Sequence, residues 1–177
     1  MSVIRKSETM DRQQLLKQLD KRWTAFKESY AGLSDSQMTL PGITGNWSVK
    51  DIIAHVTWWE EEAIKHLPLI IMGGRPPRYS VKYGGIDGFN ALMTEQKRGL
   101  SLSDVLRQQD ETHRQLIAYI KSAPEDQFMR DTRFRRRLRL DTYNHYPKHA
   151  KAIWVWREQT AGLQGRRSAQ LFRLSLR

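Results

Sequence analysis

Apolar residues recur at alternating steps of three and four along four segments of the chain, and this spacing constrains the fold more than any other feature. In the first segment the stripe is formed by Leu16, Leu19, Trp23, Phe26, Tyr30 and Leu33. A period of 3.6 residues places such side chains on one face of an α-helix. The sequence therefore predicts a first long helix from near Thr9 to Ala31, stopped by Gly32.

The second segment continues the pattern through Ile52, Val56, Trp59, Ala63 and Leu67. Ser48 precedes this stripe and Asp51 lies three residues later, which is the pattern of a capping box at a helix N-terminus. Proline in a helix interior removes a hydrogen bond and clashes with the preceding turn. We therefore expect this helix to end before Pro68.

Two more helices are predicted in the C-terminal half. One begins after Ser101 or Ser103 and ends before Pro124, with an inward stripe of Leu106, Gln109, His113, Ile117 and Ile120. The other begins near Asp141, a residue type favoured at the N-cap, and runs to about Gly162. Its inward stripe includes His145, His149, Ile153 and Trp156.

Four long amphipathic helices without a convincing strand pattern predict an all-α fold, a four-helix bundle. We assign residues 1–162 to this bundle and residues 163–177 to a basic C-terminal tail. The connection from Pro68 to Leu100 holds paired glycines and paired prolines. It is long enough to cross over the bundle between the second and third helices, and a short helix is expected in it after Asp87.

Composition excludes several classes of protein. The chain has no cysteine, so disulfides, thiolate metal ligands and a cysteine nucleophile are ruled out. The longest apolar run, Leu67 to Met72, is far shorter than the roughly 20 residues that span a bilayer. No apolar core of a secretion signal is visible near the N-terminus. We expect a cytoplasmic protein that has no membrane partner.

Positive charge is concentrated at the C-terminal end. Residues 130–177 hold 13 lysines and arginines against three acidic residues, whereas the preceding part of the chain is nearly balanced. Such an asymmetry is typical of proteins that bind an anionic partner, and it is equally compatible with a solvated basic rim.

Two histidines four residues apart form a candidate metal-binding pair. On a helix, His145 and His149 lie on the same face about 5–6 Å apart, and two imidazoles at that separation can both reach one ion. Pro147 lies between them, so we expect a local kink in the helix that leaves both rings pointing inward.

His55 adds a third inward imidazole from the second helix. A bundle can place that helix beside the fourth, which predicts a site of His55, His145 and His149. Three protein ligands leave a coordination position open for water or substrate, as in catalytic rather than structural zinc sites. Neutral imidazole suits several divalent ions, and Zn²⁺ or Ni²⁺ is the expected cofactor.

Several polar residues are candidates for supporting roles. Asp141 and Asn144 lie close enough in sequence to orient His145 by hydrogen bonding. His113 falls on an inward stripe and is either such a supporting group or an ordinary core histidine. For the run Glu60 to Glu62, a solvated acidic cluster is the favoured interpretation. Candidates for binding an anionic substrate are Arg135, Arg137 and Arg139.

Two stretches resemble a known family. NWSVKDIIAHVTWWE, from Asn46 to Glu60, is similar to the segment of the DinB-like (DinB/YfiT) superfamily that carries its first metal histidine. LRLDTYNHYPKHAKAIWVW, from Leu138 to Trp156, resembles the segment with the other two. Within the superfamily the sequence looks most like the ClbS/DfsB-type branch.

The resemblance implies a four-helix bundle, often dimeric, with a divalent ion held at the positions of His55, His145 and His149. Relatives include thiol-dependent S-transferases and isomerases, and a hydrolase that opens a strained ring. We therefore expect a metal-dependent enzyme that acts on a small molecule, either a hydrolase or a thiol-dependent transferase. Hydrolysis would use the lowered pKa of a water on the ion, and no residue stands out as a general base.

Two other functions stay open. The chain could be a metal-binding structural protein or sensor without turnover. Alternatively, the Arg-rich C-terminal third, with Phe134, Tyr143 and Tyr146 nearby, could bind nucleic acid, although no recognised nucleic-acid motif is present. The paired tryptophans Trp58–Trp59 and Trp154–Trp156 place apolar groups on more than one helix face, which predicts a homodimer interface.

Overall fold

A computed structural model describes the backbone of residues 10–175 and the side chains of residues 10–161. Within these residues the fold is all-α, and the only β-structure is an isolated bridge between Thr44 and Trp47. The predicted fold class is therefore confirmed. The four long helices are α1 (Arg12–Tyr30), α3 (Val49–Ile71), α6 (Leu102–Ser122) and α8 (Tyr146–Ser175). The shorter helices are α2 (Asp35–Thr39), α4 (Tyr79–Lys82), α5 (Ile86–Lys97) and α7 (Arg133–Asp141), with a 3₁₀ turn at Glu125–Gln127.

Helix α3 is the central element of the bundle. It packs against α2, α5, α6, α7 and α8, while α1 packs mainly against α8. Fifteen of the 23 residues of α3 are buried, so the helix is enclosed on most sides rather than along a single stripe. Every polar side chain on its inner faces must therefore find a partner inside the protein.

The helix starts follow from local capping chemistry. Ser48 and Asp51 form the capping box expected at the start of α3, with the Ser48 hydroxyl 2.7 Å from the Asp51 carboxylate. Ser101 caps α6 by accepting a hydrogen bond from the Asp104 amide. The predicted cap of the second helix is confirmed, and Ser101 rather than Ser103 caps the third.

The first two long helices differ from their predicted bounds. Asp11 caps α1, which begins at Arg12, while Thr9 lies outside the described residues. Helix α3 continues through Pro68 to Ile71, so the predicted end before Pro68 is wrong. Proline costs one backbone hydrogen bond there, but Leu67 and Ile70 are buried and hold the last turn against the core.

The largest difference concerns the start of α8. Asp141 is the last residue of α7 and not an N-cap, and α8 begins at Tyr146 after a short turn. Pro147 therefore lies in the first turn of α8, where its missing N–H has no helical partner to lose. The kink expected from a proline in mid-helix has no cause here.

Helix α8 also runs beyond its predicted end near Gly162 and reaches Ser175. The side chains of this extension lie outside the described residues, so the division between a bundle of residues 1–162 and a basic tail stays a prediction. No helix in the described part of the chain combines the length and apolar character required to cross a membrane.

The connection between α3 and α6 folds back onto the bundle through aromatic packing. Its helices α4 and α5 bring Tyr79, Tyr83 and Phe89 together beside Trp59. The guanidinium of Arg133, at the start of α7, donates to the backbone carbonyls of residues 73 and 74. The predicted crossover thus forms a wall next to α3.

Most of the tryptophans predicted to lie at a dimer interface belong to the core. Trp58, Trp59 and Trp156 are buried within the chain, whereas Trp154 and Val155 are exposed on the outer face of α8. The homodimer stays a prediction, and its candidate surface is reduced to this part of α8.

Candidate metal centre

Three imidazoles converge between α3 and the start of α8. His55 lies in α3, His145 is the last residue of the turn before α8, and His149 lies one turn into α8. Nε2 of His145 is 3.0 Å from Nε2 of His55 and 2.9 Å from Nε2 of His149. The three candidate ligand atoms lie within 4.8 Å of one another.

Hydrogen bonds among the rings do not account for this convergence. A ring nitrogen of neutral imidazole offers either one N–H or one lone pair, so Nε2 of His145 cannot form a full hydrogen bond with both neighbours. One shared ion resolves the conflict, because ligand bonds of about 2.0–2.1 Å separate adjacent nitrogens by about 2.9–3.4 Å at usual ligand angles. Two of the three nitrogen pairs therefore have the separation that a shared ion requires, and the donor set is one that a divalent metal ion accepts.

Aromatic side chains enclose the site on the α3 side. The ring of Trp47 packs 4.8 Å from that of His55 and the ring of Trp58 packs 4.9 Å from it, centroid to centroid. Trp59 lies 6.0 Å from the ring of His145. His55 is 4 % exposed, so the site has a dry inner wall.

Burial keeps all three rings neutral, which is the form that binds a metal. It lowers the pKa of His55 to about 2, that of His145 to about 3 and that of His149 to about 4. The Lys148 charge adds to the shift at His145 and His149, and the rings also disfavour one another's charge. No carboxylate belongs to the cluster in the described residues, so its ligands contribute no negative charge.

The turn from Thr142 to His145 fixes the position of His145. The hydroxyl of Thr142 donates to the Leu138 carbonyl at 2.6 Å, and the amide of His145 donates to the Thr142 carbonyl at 2.7 Å. From α1, the guanidinium of Arg22 donates to the carbonyl of Tyr143 and to Oδ1 of Asn144. His145 is thus held by a clamped turn, not by the regular helix that the i,i+4 spacing indicated.

None of the three predicted supporting residues hydrogen-bonds to a metal-site imidazole in the described part of the chain. His113 binds Glu60, the carboxylate of Asp141 binds Arg137, and the amide of Asn144 binds Arg22. The Asp141 carbonyl is close enough to the His145 ring to raise its pKa against the larger effect of burial, although Nδ1 of His145 does not form a full hydrogen bond with it. Nδ1 of His55 and Nδ1 of His145 are buried without a partner.

The arginines predicted to grip an anion have different surroundings. Arg137 is turned inward, where it donates to the Asp141 carboxylate at 2.5 Å and to the Tyr79 hydroxyl at 2.8 Å. Arg135 is half-buried and donates to the carbonyls of Phe128 and Arg130. Arg139 is exposed. Arg137 is thus occupied by internal contacts, and no anion clamp is assembled from the three.

The acidic run on α3 is not the solvated cluster that its composition predicts, because two of its three residues are buried. Glu60 is fully buried and Glu62 is 9 % exposed, whereas Glu61 pairs with Lys97 at the rim. Glu62 accepts hydrogen bonds from His66 at 3.0 Å and from Tyr79 at 2.5 Å. The sequence feature that could have revealed the burial of Glu60 and Glu62 is the apolar character of α3 on several faces. A helix that is apolar on several faces must also bury its polar residues.

An all-helical bundle with three imidazoles gathered between its second long helix and the start of its fourth defines a class of candidate metal-binding proteins. The chain belongs to the DinB superfamily, whose family model matches residues 18–151. The resemblance noted in the two histidine-bearing stretches is therefore confirmed. No curated protein matches the sequence.

Solved structures share the fold at low sequence identity. DfsB, described as a sibling lethal factor precursor, superposes with a TM-score of 0.71 at 18 % identity over 86 % of this chain and 98 % of its own. The colibactin self-resistance protein ClbS, solved in complex with double-stranded DNA, gives 0.69 at 15 % identity over 83 % and 95 %. An uncharacterised protein from Escherichia coli UTI89 gives 0.71 at 13 % identity over 86 % and 95 %.

The lowered histidine pKa values predict a loss of stability in mild acid for the metal-free protein. Between about pH 6.5 and pH 4 the unfolded chain protonates its histidines while the folded rings stay neutral, so the unfolded state binds more protons. Stability is therefore present above pH 6.5 and lost as the pH falls. Each ring contributes about 2 kcal/mol between pH 7 and pH 5.

Urea unfolding of wild type and His149→Gln at pH 7 and pH 5, in the presence of a chelator, measures this effect. Asp141 contributes with the opposite sign, because burial raises its pKa to about 7, so the informative quantity is the difference between the two proteins. The variant should lose less stability than wild type on acidification. An identical loss in both would contradict the neutral, buried state of His149.

Proposed function

We propose that the protein is a divalent-metal-dependent enzyme acting on a small molecule, with His55, His145 and His149 as the metal ligands. The observation that carries the proposal is the approach of one ring nitrogen to two others at 3.0 and 2.9 Å. Membership of the DinB superfamily supports it. Zn²⁺ and Ni²⁺ are the ions we consider first, since both accept imidazole nitrogen.

When bound, a divalent ion with three protein ligands and an open position supplies Lewis-acid chemistry and a nucleophile at neutral pH. The three imidazoles hold this centre without adding negative charge, which leaves its full positive charge available for a substrate. Trp47, Trp58 and Trp59 exclude water from the α3 side. Both hydrolysis and activation of a small-molecule thiol are compatible with such a site.

Metal content tests the proposed ligands directly. Protein made without an affinity tag should carry one divalent ion per chain, and His149→Ala should bind that ion more than about 100-fold more weakly, because even loss of an outer partner costs 10–100-fold. Elemental analysis after dialysis against limiting metal measures this content, and far-UV circular dichroism checks folding.

His66→Ala is the matched control. His66 is a buried histidine on α3, the helix that also carries His55. Its ring is hydrogen-bonded to Glu62, and it does not belong to the three-histidine cluster. This variant should retain the wild-type metal content. Equal metal content in wild type and His149→Ala would defeat the proposed site.

Turnover separates an enzyme from a metal-binding structural protein or sensor. Metal-loaded protein should hydrolyse 4-nitrophenyl acetate, or couple 2-mercaptoethanol to 1-chloro-2,4-dinitrobenzene, faster than the free ion does. The rate should return to background in His149→Ala, because the reactive centre is then lost. No metal-dependent rate with either probe would favour a non-catalytic metal-binding protein.

Nucleic-acid binding is the second candidate function, favoured by the solved complex of ClbS with double-stranded DNA and by the charge of residues 130–177. Only some of the basic side chains in the described residues are free to contact a nucleic acid. Arg133, Arg135 and Arg137 are engaged by carbonyl or carboxylate oxygens of the protein itself, whereas Arg139 and Lys148 are exposed.

Fluorescence anisotropy with a labelled DNA duplex at about 50 and 200 mM salt tests this candidate. If the exposed cations bind phosphates, affinity should fall steeply with salt, and Arg139→Gln should weaken binding and reduce the salt slope by about one. Arg137→Gln would not test phosphate binding in the same way, because the Arg137 side chain points into the protein. No binding at about 100 mM salt would remove this candidate.

A further inference from the structure

Each of the four long helices contributes one side chain to a largely buried cluster beside the metal site. These residues, which we call the four-helix tie, are Trp23 of α1, Glu60 of α3, His113 of α6 and Tyr146 of α8. Oε1 of Glu60 accepts hydrogen bonds from Nδ1 of His113 at 2.9 Å and from the Tyr146 hydroxyl. The ring of Trp23 stacks on that of His113, with centroids 3.8 Å apart and planes inclined by 2°.

Filling a core with ionisable and polar side chains such as those of the four-helix tie carries a desolvation penalty. Glu60 and Tyr146 have no exposed surface, and Oε2 of Glu60 is buried without a hydrogen-bond partner. Apolar residues of similar volume often stabilise a core as well as a buried ionisable group does. What a carboxylate provides instead is direction, since its hydrogen bonds fix the relative position of the groups that donate to it.

The position of the tie connects it to the metal site. Tyr146 is the first residue of α8 and directly follows His145, and His149 lies three residues further on. Glu60 lies five residues after His55 on α3. One hydrogen bond between Glu60 and Tyr146 therefore joins the two segments that carry all three imidazoles.

Direct hydrogen bonds from the protein to the imidazoles are weak or lacking among the described residues. Metal-binding histidines usually donate their second ring N–H to a carboxylate or carbonyl, which orients the ring. Nδ1 of His55 has no such partner, and Nδ1 of His145 has only the nearby Asp141 carbonyl, with which it forms no full hydrogen bond. The mutual position of the rings must then depend on how the segments that carry them are placed.

We propose that Glu60 is a positioning residue for the metal site. Its hydrogen bond to Tyr146, braced by His113 and Trp23, sets the distance between α3 and the start of α8 and hence the separation of His55 from His145 and His149. This inference rests on the proposed metal site and assigns the geometry of that site to an interaction that touches none of its ligands.

Tyr146→Phe tests the proposal, with Tyr30→Phe as the matched control. The hydroxyl of Tyr30 also makes one buried hydrogen bond, to Oε1 of Gln109 at 2.8 Å, but this bond joins α1 to α6 rather than α3 to α8. Both variants lose one buried tyrosine hydroxyl. The readouts are thermal unfolding of the metal-free proteins, the Co²⁺ dissociation constant and the visible absorption spectrum of the Co²⁺-loaded proteins.

Both variants should lose a similar amount of thermal stability, and Tyr146→Phe alone should bind Co²⁺ at least about tenfold more weakly. Its visible spectrum should differ from that of wild type, because a changed ligand separation alters the coordination geometry. Glu60→Gln, which keeps an oxygen acceptor for Tyr146, should retain most of the Co²⁺ affinity that Glu60→Ala loses.

Wild-type affinity and spectrum in Tyr146→Phe would overturn the positioning role while leaving the metal site intact. An equal loss of affinity in Tyr30→Phe would also overturn it, since general destabilisation would then explain both results. Failure of the wild-type protein to bind Co²⁺ would instead refute the metal site itself, so the two failures are distinguishable.

Discussion

The burial of α3 at the centre of the bundle is the constraint on which the other features depend. A helix covered by α2, α5, α6, α7 and α8 cannot leave polar residues on its inner faces in water. Its ionisable side chains are therefore paired within the protein, Glu60 with His113 and Tyr146, and Glu62 with His66 and Tyr79. His55 lies on the same enclosed helix, and its partners are two other imidazoles.

Two networks follow from this constraint and hold the segments around the site. One is the four-helix tie at Glu60. The other runs from His66 through Glu62 and Tyr79 to Arg137 and Asp141, so it joins α3 to α4 and α7. Several arginines of the Arg-rich segment are thus bound by other groups of the protein. The number of arginines that could bind an external partner is therefore smaller than the basic composition suggests.

The sequence was sufficient for the helical class and for the capping box at Ser48, because these depend on local period and spacing. The grouping of His55 with His145 and His149 followed from inward positions on two helices and from the resemblance of two stretches to a known superfamily. The sequence was insufficient where tertiary contacts decide the outcome. The i,i+4 spacing suggested that His145 and His149 share one helix, whereas a turn clamped by Arg22 holds His145. Asp141 has the chemistry of an N-cap, yet its carboxylate is bound by Arg137.

The same limit applies to the acidic residues of α3. Three consecutive glutamates are typical of a solvated face, and only the enclosure of the helix shows that two of them are internal. Trp58 and Trp59 cover adjacent faces of α3, and this pattern predicts a dimer interface as readily as the central position that the helix has. An apolar residue on a second helix face predicts either a partner chain or a central position in the same chain.

The central claim is that three imidazoles share one ion, and X-ray absorption spectroscopy of the Zn²⁺- or Ni²⁺-loaded protein tests it most directly. A three-histidine site predicts a first shell of nitrogen and oxygen at about 2.0–2.1 Å, with outer-shell scattering from three imidazole rings. A spectrum that fits one imidazole or none would contradict the claim, because the ion would then be held elsewhere than between His55, His145 and His149.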